Sequence, residues 1–266
     1  MIKSLLKNDE KLLYIHQLFY NSLTKNQKKI YKKINSFLKL YCKYNCLKNN
    51  QLIKEYYKFL NRYMSDCKNF SKLKKYPYQI SKVKKLNRTS YEIALILSCL
   101  ITPHRFAIME EISKIGNLKK SLFIGAGTGL EIYLIKEKLH VFKAYDVGSS
   151  KFIYQIIKKE NFEQRLYNFS ETEFKTIFAI EFLEHLQKPY EFLAKIYTSM
   201  KKNSRLVCTT AKNIPQFDHL YNFTSSTDFE KKVKKIGFKI SYSNIIAHQY
   251  DLQKINSNNI FYILKK

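Results

Sequence analysis

The apolar positions of the first 64 residues recur at the spacing of α-helices. From Ser4 to about Met64, leucine, isoleucine and aromatic residues repeat at helical intervals between lysines, and no glycine or proline interrupts them. A repeat of this period places the apolar side chains on one face of a helix. The pattern therefore predicts a helical segment.

The pattern changes between residues 67 and 116. The stretch CKNFSKLKKYPYQISKVKKLNRTS, 67–90, loses the helical period, gains a proline and carries many cations, which predicts a basic connecting loop. Thr89 with Glu92 three residues later matches a capping box, and the nearly all-apolar YEIALILSCLI that follows predicts a buried helix. After Pro103, HRFAIMEEISKIG predicts an amphipathic helix that ends near Gly116.

From about residue 120, short β-rich runs alternate with amphipathic helices. The runs are SLFIGA, HVFKAYD, KTIFAIE, SRLVCTTA, FKISYS and NIFYILKK. This alternation is typical of an α/β fold with a mostly parallel sheet. No clear helix separates the last two runs, so the last strand is expected to be antiparallel. We predict a helical cap or lid segment, residues 1–115, and an α/β domain, residues 116–266.

Composition predicts a folded protein. The chain has 266 residues, of which 45% are hydrophobic and 15% aromatic, enough apolar surface to offset the ordering entropy of folding. Its formal net charge is +27, but lysine greatly outnumbers arginine while glycine, proline and tryptophan are scarce, as AT-biased coding would produce. A solvated lysine-rich surface is therefore favoured over a dedicated acidic partner.

The cysteines and the N-terminus bear on compartment. The five cysteines are irregularly spaced, and Cys42-x-x-x-Cys46 has no second cysteine or histidine pair, so the sequence predicts free thiols and no metal site. Charged residues interrupt the N-terminal sequence too early for the apolar region of a signal sequence. No apolar run approaches the roughly 20 residues that a membrane span needs. We expect a cytoplasmic protein without membrane insertion.

Two motifs mark the ends of the first two predicted strands. SLFIGAGTGLEIYLI, 121–135, contains three of the six glycines, at the strand end where open α/β sheets bind ligands. Leu130 stands where a dinucleotide fingerprint needs glycine or alanine, and the Gly-Lys-Ser/Thr of a phosphate-binding loop is absent. Asp146 follows about 20 residues later, at the distance where a carboxylate accepts hydrogen bonds from a ribose diol.

A third motif lies after the fourth predicted strand, where Glu181, Leu183, Glu184 and His185 form an E-x-L-E-H step. These three motifs, in this order, resemble class I S-adenosylmethionine-dependent methyltransferases of the small-molecule or natural-product type, here with an N-terminal helical cap. The resemblance covers roughly residues 118–266. It implies a Rossmann-like methyltransferase sheet, S-adenosyl-L-methionine as cofactor and S-adenosyl-L-homocysteine as product.

The resemblance also implies roles for matching positions. The glycine loop would let the backbone approach the methionine part of the cofactor, Asp146 would hold the ribose, and two residues after the fourth strand would line the sulfonium side. Asn168 and Phe169 would border the adenine. The implied cofactor residues are Gly125, Ala126, Gly127, Gly129, Asp146, Glu181 and Phe182, and we add Tyr91 from the segment before the buried helix.

Two features depart from the family pattern. The family usually has an acidic residue two positions before the first glycine, where this chain has Phe123. The third strand is hard to find, because its candidate RLYNFSETEF, 165–174, is shorter than usual.

Methyl transfer demands no fixed catalytic residue, because proximity and orientation supply much of the acceleration. The loop AKNIPQFDHLYNF after the fifth strand should overhang the pocket, and His219 is our candidate base or acceptor-orienting group, with Tyr221 beside it. His104, Arg105 and His185 are candidate substrate residues. A packing role stays open for each of these side chains.

Negative evidence bears on the acceptor. The chain lacks the N/D-P-P-Y/F/W motif of adenine-amino methyltransferases, a cysteine beside a proline, and any RNA-binding appendage, so nucleic acid is disfavoured. We expect methyl transfer to an oxygen or nitrogen of a small or carrier-bound metabolite. Two alternatives stay open: an RNA methyltransferase that uses the basic 71–90 loop, and a non-catalytic binding or scaffold protein on the same fold. The sequence leaves the oligomeric state open.

Overall fold

Helices precede the sheet in the computed structural model, which describes residues 6–7, 9–80, 86–169, 173–248 and 255–266. The helical segment predicted from residue 4 to residue 64 is confirmed from Glu10 onward, with breaks at Leu23–Thr24 and at residues 45–48, and residues 4, 5 and 8 lie outside the described residues. Helices α1 to α6 span Glu10–Ser22, Lys25–Tyr44, Asn49–Leu73, Pro77–Ile80, Arg88–Ile101 and Pro103–Lys114.

The predicted loop at 67–90 is wrong over its first part, because α3 continues to Leu73. Cys67 and Phe70 on this last part of α3 are buried against Tyr76 and Ile255, so burial of the apolar face extends the helix despite the surrounding lysines. Residues 81–85 of the predicted loop lie outside the described residues.

The capping box predicted at Thr89 is also wrong. The N-cap of α5 is Asn87, whose side-chain oxygen accepts a hydrogen bond from the Ser90 amide at 2.8 Å. Glu92 instead accepts hydrogen bonds from the Tyr41 hydroxyl and the Arg88 guanidinium, both at 2.9 Å. The Glu92 carboxylate, which a capping box would use, is therefore bound by Tyr41 and Arg88 instead.

Seven strands form one sheet in the order β3-β2-β1-β4-β5-β7-β6. Strands β1 to β5 are parallel, and β7 lies antiparallel between β5 and β6, which confirms the predicted fold class. The third strand is Phe162–Glu163, upstream of the stretch 165–174 where the sequence suggested it. The strands β1 to β7 span Lys120–Ile124, Val141–Tyr145, Phe162–Glu163, Thr176–Ala179, Arg205–Lys212, Lys239–Ala247 and Asn258–Lys265.

The helical segment shares a core with one face of the sheet. Successive strand residues point to opposite faces, and Phe123, Phe178 and Phe261 lie in the same buried cluster as side chains of α1, α2, α5 and α6. The ring of Phe123 stacks on that of Phe178 with 4.6 Å between centroids. Phe123 thus serves a helix-covered face, where a carboxylate would be buried without a partner.

The other face packs on helices later in the chain. Leu122, Ile177 and Leu206 lie in a second buried cluster with residues of α8, Pro189–Ser199, and α9, Ser226–Ile236. The sheet is therefore covered on both sides, as a mostly parallel sheet requires. The short helix α7, Leu130–Ile135, follows β1 and the glycines.

Among the described helices, none is long and apolar enough to cross a membrane by itself. Only α5 and α6 taken together pass a test of length and composition, and they are bent by 85° at their junction.

Gly237 ends α9 in the left-handed region, with φ of 119°, and a Cβ there would lie 2.5 Å from Cζ of Tyr197. We expect Gly237→Ala to lower the free energy of unfolding by more than about 1 kcal/mol, because both the backbone and the Tyr197 ring oppose a side chain. Gly116→Ala is the matched control, because a Cβ there would meet nothing within 4 Å. Urea denaturation of both variants checks this, and equal effects would contradict it.

Candidate active site

A cavity of about 1180 Å³ lies at the carboxyl ends of the parallel strands. Its wall combines residues that follow β1, β2, β4 and β5 with side chains from α3, α5 and α6. Open α/β sheets bind ligands at this edge, because the strand ends present loops and helix starts there. The N-terminal helices add an aromatic and apolar part to this wall, which includes Tyr56, Phe59, Leu60 and Tyr91.

The glycine loop is fastened to the second strand. The amides of Gly125 and Ala126 donate to the Tyr145 carbonyl at 2.9 and 3.1 Å. Gly125 has φ of 75°, and a Cβ there would lie 2.5 Å from the Phe182 ring, so both the backbone and the packing require glycine. Gly129 is required for a different reason from the one the resemblance implies, because its Cβ would meet Ile153 at 2.8 Å.

Gly127 is the glycine that opens toward the cavity. It lines the cavity wall, has φ of 54°, and would place a Cβ with no atom within 4 Å. Ala126 and Gly129 are not among the described residues that line the cavity. The close approach of backbone to a ligand therefore concerns Gly125 and Gly127 most directly.

Asp146 joins the loop from the end of β2. One carboxylate oxygen accepts from the Gly127 amide at 2.8 Å and the other from the Gly148 amide at 2.5 Å. The side chain also lines the cavity. Because a carboxylate oxygen has two acceptor sites, each still has capacity for a ligand hydroxyl.

Glu181 ties the end of β4 to three other elements. Its carboxylate accepts hydrogen bonds from Thr209 of β5 at 2.8 Å, Asn259 of β7 at 2.9 Å and Arg105 of α6 at 2.5 Å. Its backbone has φ of 48°, and its amide donates to the Thr209 hydroxyl at 2.7 Å. Glu181 lines the cavity, but the chain's own groups occupy its carboxylate.

Arg105 is thus part of an ion pair across 76 residues of sequence. Its side chain is 13% exposed and that of Glu181 is 18% exposed. Sequence reasoning suggested Arg105 as a substrate residue, and nothing local in the sequence pointed to its pairing with Glu181. Arg105 also lines the cavity, so it can contact a ligand while it stays paired with Glu181.

Aromatic rings form another part of the wall. Phe182 and Phe169 both pack on Phe192 of α8, with ring centroids 5.2 and 5.6 Å apart. All three rings line the cavity. Offset and edge contacts of this kind hold flat apolar surfaces rigidly, and such a surface suits a planar ring such as adenine.

Acid and histidine side chains gather where the segments after β4 and β5 meet. Glu184 and His185 lie in a 3₁₀ turn, Leu183–His185, and Asp218 and His219 lie in the loop after β5. The amides of Leu220 and Tyr221 donate to the Glu184 carbonyl at 2.8 and 3.0 Å, which fastens the loop to the turn. All four side chains line the cavity.

Burial governs the protonation of this cluster. It raises the pKa of Glu184, and the nearby Glu181 charge adds to this effect. Burial, with the neighbouring His185, lowers the pKa of His219 to about 4. For His185 burial acts against the charged form, but the carboxylates of Asp218 and Glu184 overcome it and raise the pKa.

Two further candidates, His104 of α6 and Tyr91 of α5, also line the cavity. The His104 ring stacks on His248 with 3.7 Å between centroids, and burial lowers the pKa of His104 well below its usual value. Burial, followed by the Asp218 carboxylate, raises the pKa of Tyr91. Both side chains are therefore neutral groups at pH 7.

The prediction that Tyr221 lies in the pocket is wrong. Tyr221 is not among the described residues that line the cavity, because its ring packs on Tyr190 and Phe223 with centroids 5.8 and 4.9 Å apart. Its neighbour His219 does face the cavity. The loop therefore places His219 in the site and leaves Tyr221 partly buried against the second cluster.

Sequence reasoning gave no role to Glu184. Its side chain is fully buried, and neither carboxylate oxygen accepts a hydrogen bond from another described residue. The adjacent Glu184 and His185 in the E-x-L-E-H step were the available signal, but the sequence does not show that His219 lies beside them.

We expect Arg105→Ala to lower the free energy of unfolding by about 3 kcal/mol, because it leaves a largely buried Glu181 carboxylate without its cation. Lys33→Ala is the control, since Lys33 and Glu137 form an exposed pair with side chains 44% and 57% exposed, and its loss should cost less than about 1 kcal/mol. Chemical denaturation measures both. A cost for Arg105→Ala no larger than that of the control would show that Thr209 and Asn259 suffice.

Comparisons with known proteins bear on the fold and the family. A family model described as a methyltransferase domain matches residues 106–242, slightly more than half of the chain. No curated protein matches the chain.

Solved structures of low sequence identity show a similar fold. A 1,6-didemethyltoxoflavin-N1-methyltransferase from Burkholderia thailandensis, with bound 1,6-didemethyltoxoflavin and S-adenosylhomocysteine, is 15% identical, with a TM-score of 0.50 over 70% of this chain and 93% of that one. A phosphoethanolamine N-methyltransferase 2 from Haemonchus contortus, in complex with S-adenosyl-L-methionine, is 14% identical, with a TM-score of 0.50 over 66% of this chain and 57% of that one.

An O-methyltransferase family protein from Burkholderia thailandensis is 10% identical, with a TM-score of 0.46 over 66% of this chain and 58% of that one. This chain therefore spans less than two thirds of that protein and of the Haemonchus enzyme. The family match covers the glycine loop, Asp146, the E-x-L-E-H step and the loop that carries His219. The chain belongs to the methyltransferase family that this domain defines, whose cofactor is S-adenosyl-L-methionine.

Proposed function

We propose that the chain transfers a methyl group from S-adenosyl-L-methionine to an oxygen or nitrogen atom of a small or carrier-bound metabolite. The observation that carries the proposal is one cavity whose wall includes the glycine loop and Asp146 as well as the Glu184, His185 and His219 cluster. The first group suits the cofactor, and the second supplies polar groups for an acceptor. Their presence on one wall is what a transfer between two bound molecules requires.

The residues of the first group fit the cofactor. Gly127 leaves free space at the wall, Asp146 has acceptor sites left for ribose hydroxyls, and Phe182 and Phe169 offer flat surfaces for the adenine. Phe123 takes the place of the family's acidic residue, so one polar anchor of the family pattern is replaced by a core contact. Arg105 is one of the cations on this wall, and its guanidinium suits a carboxylate such as that of the methionine part.

S-adenosyl-L-methionine, when bound, supplies an electrophilic methyl group on a sulfonium. The chain would hold the acceptor beside that methyl and would exclude water with the aromatic side chains of α3 and α5. His219 donates its Nδ1 hydrogen to the Ile214 carbonyl at 2.7 Å, so its Nε2 has the lone pair. With its pKa lowered to about 4, His219 is neutral at pH 7 and suited to orient an acceptor or take its proton.

The helical layer supports a small acceptor over a polymer. Side chains of α3, α5 and α6 line the same cavity as the sheet loops, so an acceptor beside the cofactor would be enclosed on that side. Tyr56, Phe59 and Leu60 make this part of the wall apolar. A metabolite with an aromatic or apolar body and a hydroxyl or amine matches such a wall.

Titration calorimetry with S-adenosyl-L-methionine and with S-adenosyl-L-homocysteine tests the proposal. We expect one-to-one binding by the wild type and an affinity lower by roughly 10- to 100-fold in Asp146→Asn, because a hydrogen bond to a charged group contributes about 1.5–3 kcal/mol. Asn keeps one oxygen for the loop amides, so this variant disturbs the loop less than alanine.

Asp228→Asn is the matched control, because Asp228 pairs with Lys232 on the exposed side of α9 and lies outside the cavity lining. It should bind like the wild type. If a folded wild-type sample binds neither compound, the non-catalytic scaffold alternative is favoured and the proposed function is wrong.

A further inference from the structure

Three side chains on the cavity wall are arranged around a common point. They are Glu184, His185 and His219, and one candidate ligand atom of each lies within 4.8 Å of the other two. Ligand atoms bonded to one transition-metal ion at about 2.1 Å lie roughly 3–4 Å apart. Small side-chain rotations would therefore bring all three onto a single ion.

The Glu184 carboxylate points to a missing partner. The residue has no exposed surface, and neither carboxylate oxygen accepts a hydrogen bond from another residue in the described part of the chain. Buried carboxylates in folded proteins are almost always hydrogen-bonded, ion-paired or bound to a metal. Glu181, three residues earlier, shows the usual arrangement, with Arg105, Thr209 and Asn259 all donating to it.

Both imidazoles have the tautomer that leaves Nε2 free to bind a metal. Nδ1 of His185 donates to the Asp218 carbonyl at 3.1 Å, and Nδ1 of His219 donates to the Ile214 carbonyl at 2.7 Å. A carbonyl only accepts, so in each ring Nδ1 has the hydrogen and Nε2 has the free lone pair. A backbone carbonyl on the far nitrogen is the typical outer partner of a metal-bound histidine.

The supporting backbone is also held in place. The Glu184 carbonyl accepts from the amides of Leu220 and Tyr221, so the turn that carries Glu184 and His185 is fastened directly to the loop that carries His219. The two rings lie nearly perpendicular, at 86°, with centroids 5.0 Å apart. Preorganisation of this kind is what separates a built site from a chance cluster.

We propose that Glu184, His185 and His219 bind a divalent transition-metal cation, whose open positions face the cavity and bind an oxygen atom of the methyl acceptor. Two imidazoles and one carboxylate suit zinc, manganese, iron or cobalt, whereas magnesium and calcium prefer oxygen ligands alone. His185 is 27% exposed at its side chain, which leaves an approach from the cavity. No cysteine belongs to this cluster of described residues.

This inference rests on the proposed function and narrows it to an oxygen acceptor. A hydroxyl bound at the open positions loses its proton to water more readily, because the cation stabilises the alkoxide or phenolate. The oxygen then forms a bond to the sulfonium methyl carbon, the carbon–sulfur bond breaks, and its electron pair stays on sulfur as the neutral thioether. His219 thereby orients the acceptor through the cation instead of acting as its base.

Cobalt(II) titration of the full-length, metal-free protein tests the site, with visible absorbance as the readout. We expect one equivalent of cobalt to bind and zinc to displace it. Glu184→Gln and His219→Gln should each weaken cobalt binding by about 100-fold or more, given that even outer-sphere changes cost 10- to 100-fold. His140→Asn is the matched control, because His140 is exposed and lies outside the cavity lining.

The outcomes separate the possibilities. No saturable binding of cobalt, zinc or manganese by the folded wild type would overturn the proposal and leave Glu184 as a buried neutral acid. Binding that survives in both variants would overturn it as well. Circular dichroism melting of each variant identifies any that fails to fold, and Glu184→Asp serves as a second variant that keeps the charge but shortens the reach.

The acceptor role has its own probe. Acetohydroxamate, a bidentate oxygen ligand, should change the cobalt spectrum if the open positions face the cavity, and an unchanged spectrum would refute that role. S-adenosyl-L-homocysteine binding, measured on the same samples, distinguishes the two proposals. If the protein binds S-adenosyl-L-homocysteine but no metal, only the metal-site proposal is refuted. If it binds metal but not S-adenosyl-L-homocysteine, the proposed function is refuted.

Discussion

The Glu181 carboxylate holds together the parts from which the cavity is built. It lies at the end of β4 in a left-handed backbone conformation and accepts hydrogen bonds from α6, β5 and β7. Of these contacts, only the one with Arg105 joins two charged groups, and it is also the one that joins the helical layer to the sheet. Since a largely buried charge is costly without its partner, this ion pair fixes where the turn that follows β4 begins.

The turn after Glu181 depends on that anchor. Phe182 enters the space above Gly125 that a side chain would fill, and Glu184 and His185 follow within the same few residues. A displacement of Glu181 would therefore move the aromatic wall and the acid–histidine cluster together. Phe182 therefore connects the glycine loop, which its ring contacts, to the acid–histidine cluster, which follows it in the chain.

The cavity contrasts with the surface of the chain. The protein has a formal net charge of +27, yet Glu181, Glu184 and Asp218 lie on the cavity wall. Arg105 balances Glu181, and Asp218 lies beside His185, with 3.6 Å between Oδ2 and Nδ1. For Glu184, burial and the Glu181 charge raise the pKa, and they outweigh His185, its own backbone amide and Arg105, which favour the charged form. The wall thus attracts a cation or a proton at one point, within a protein that is basic outside.

Local pattern determined most helices and strands of this protein and the position of two of its motifs at strand ends. The glycine loop and Asp146 were predictable because both follow strands whose ends share one sheet edge, and helical and strand periods are properties of short segments. Which residues contact one another was decided only by the tertiary structure. Asn87 is the cap of α5 in place of Thr89, α3 continues to Leu73, and Tyr221 packs on Tyr190 and Phe223 while His219 faces the cavity. Arg105 pairs with Glu181 across 76 residues, and His219 lies close to Glu184 although β5 separates them in the sequence. Such pairings depend on which faces pack together, a long-range choice that no short window of sequence contains.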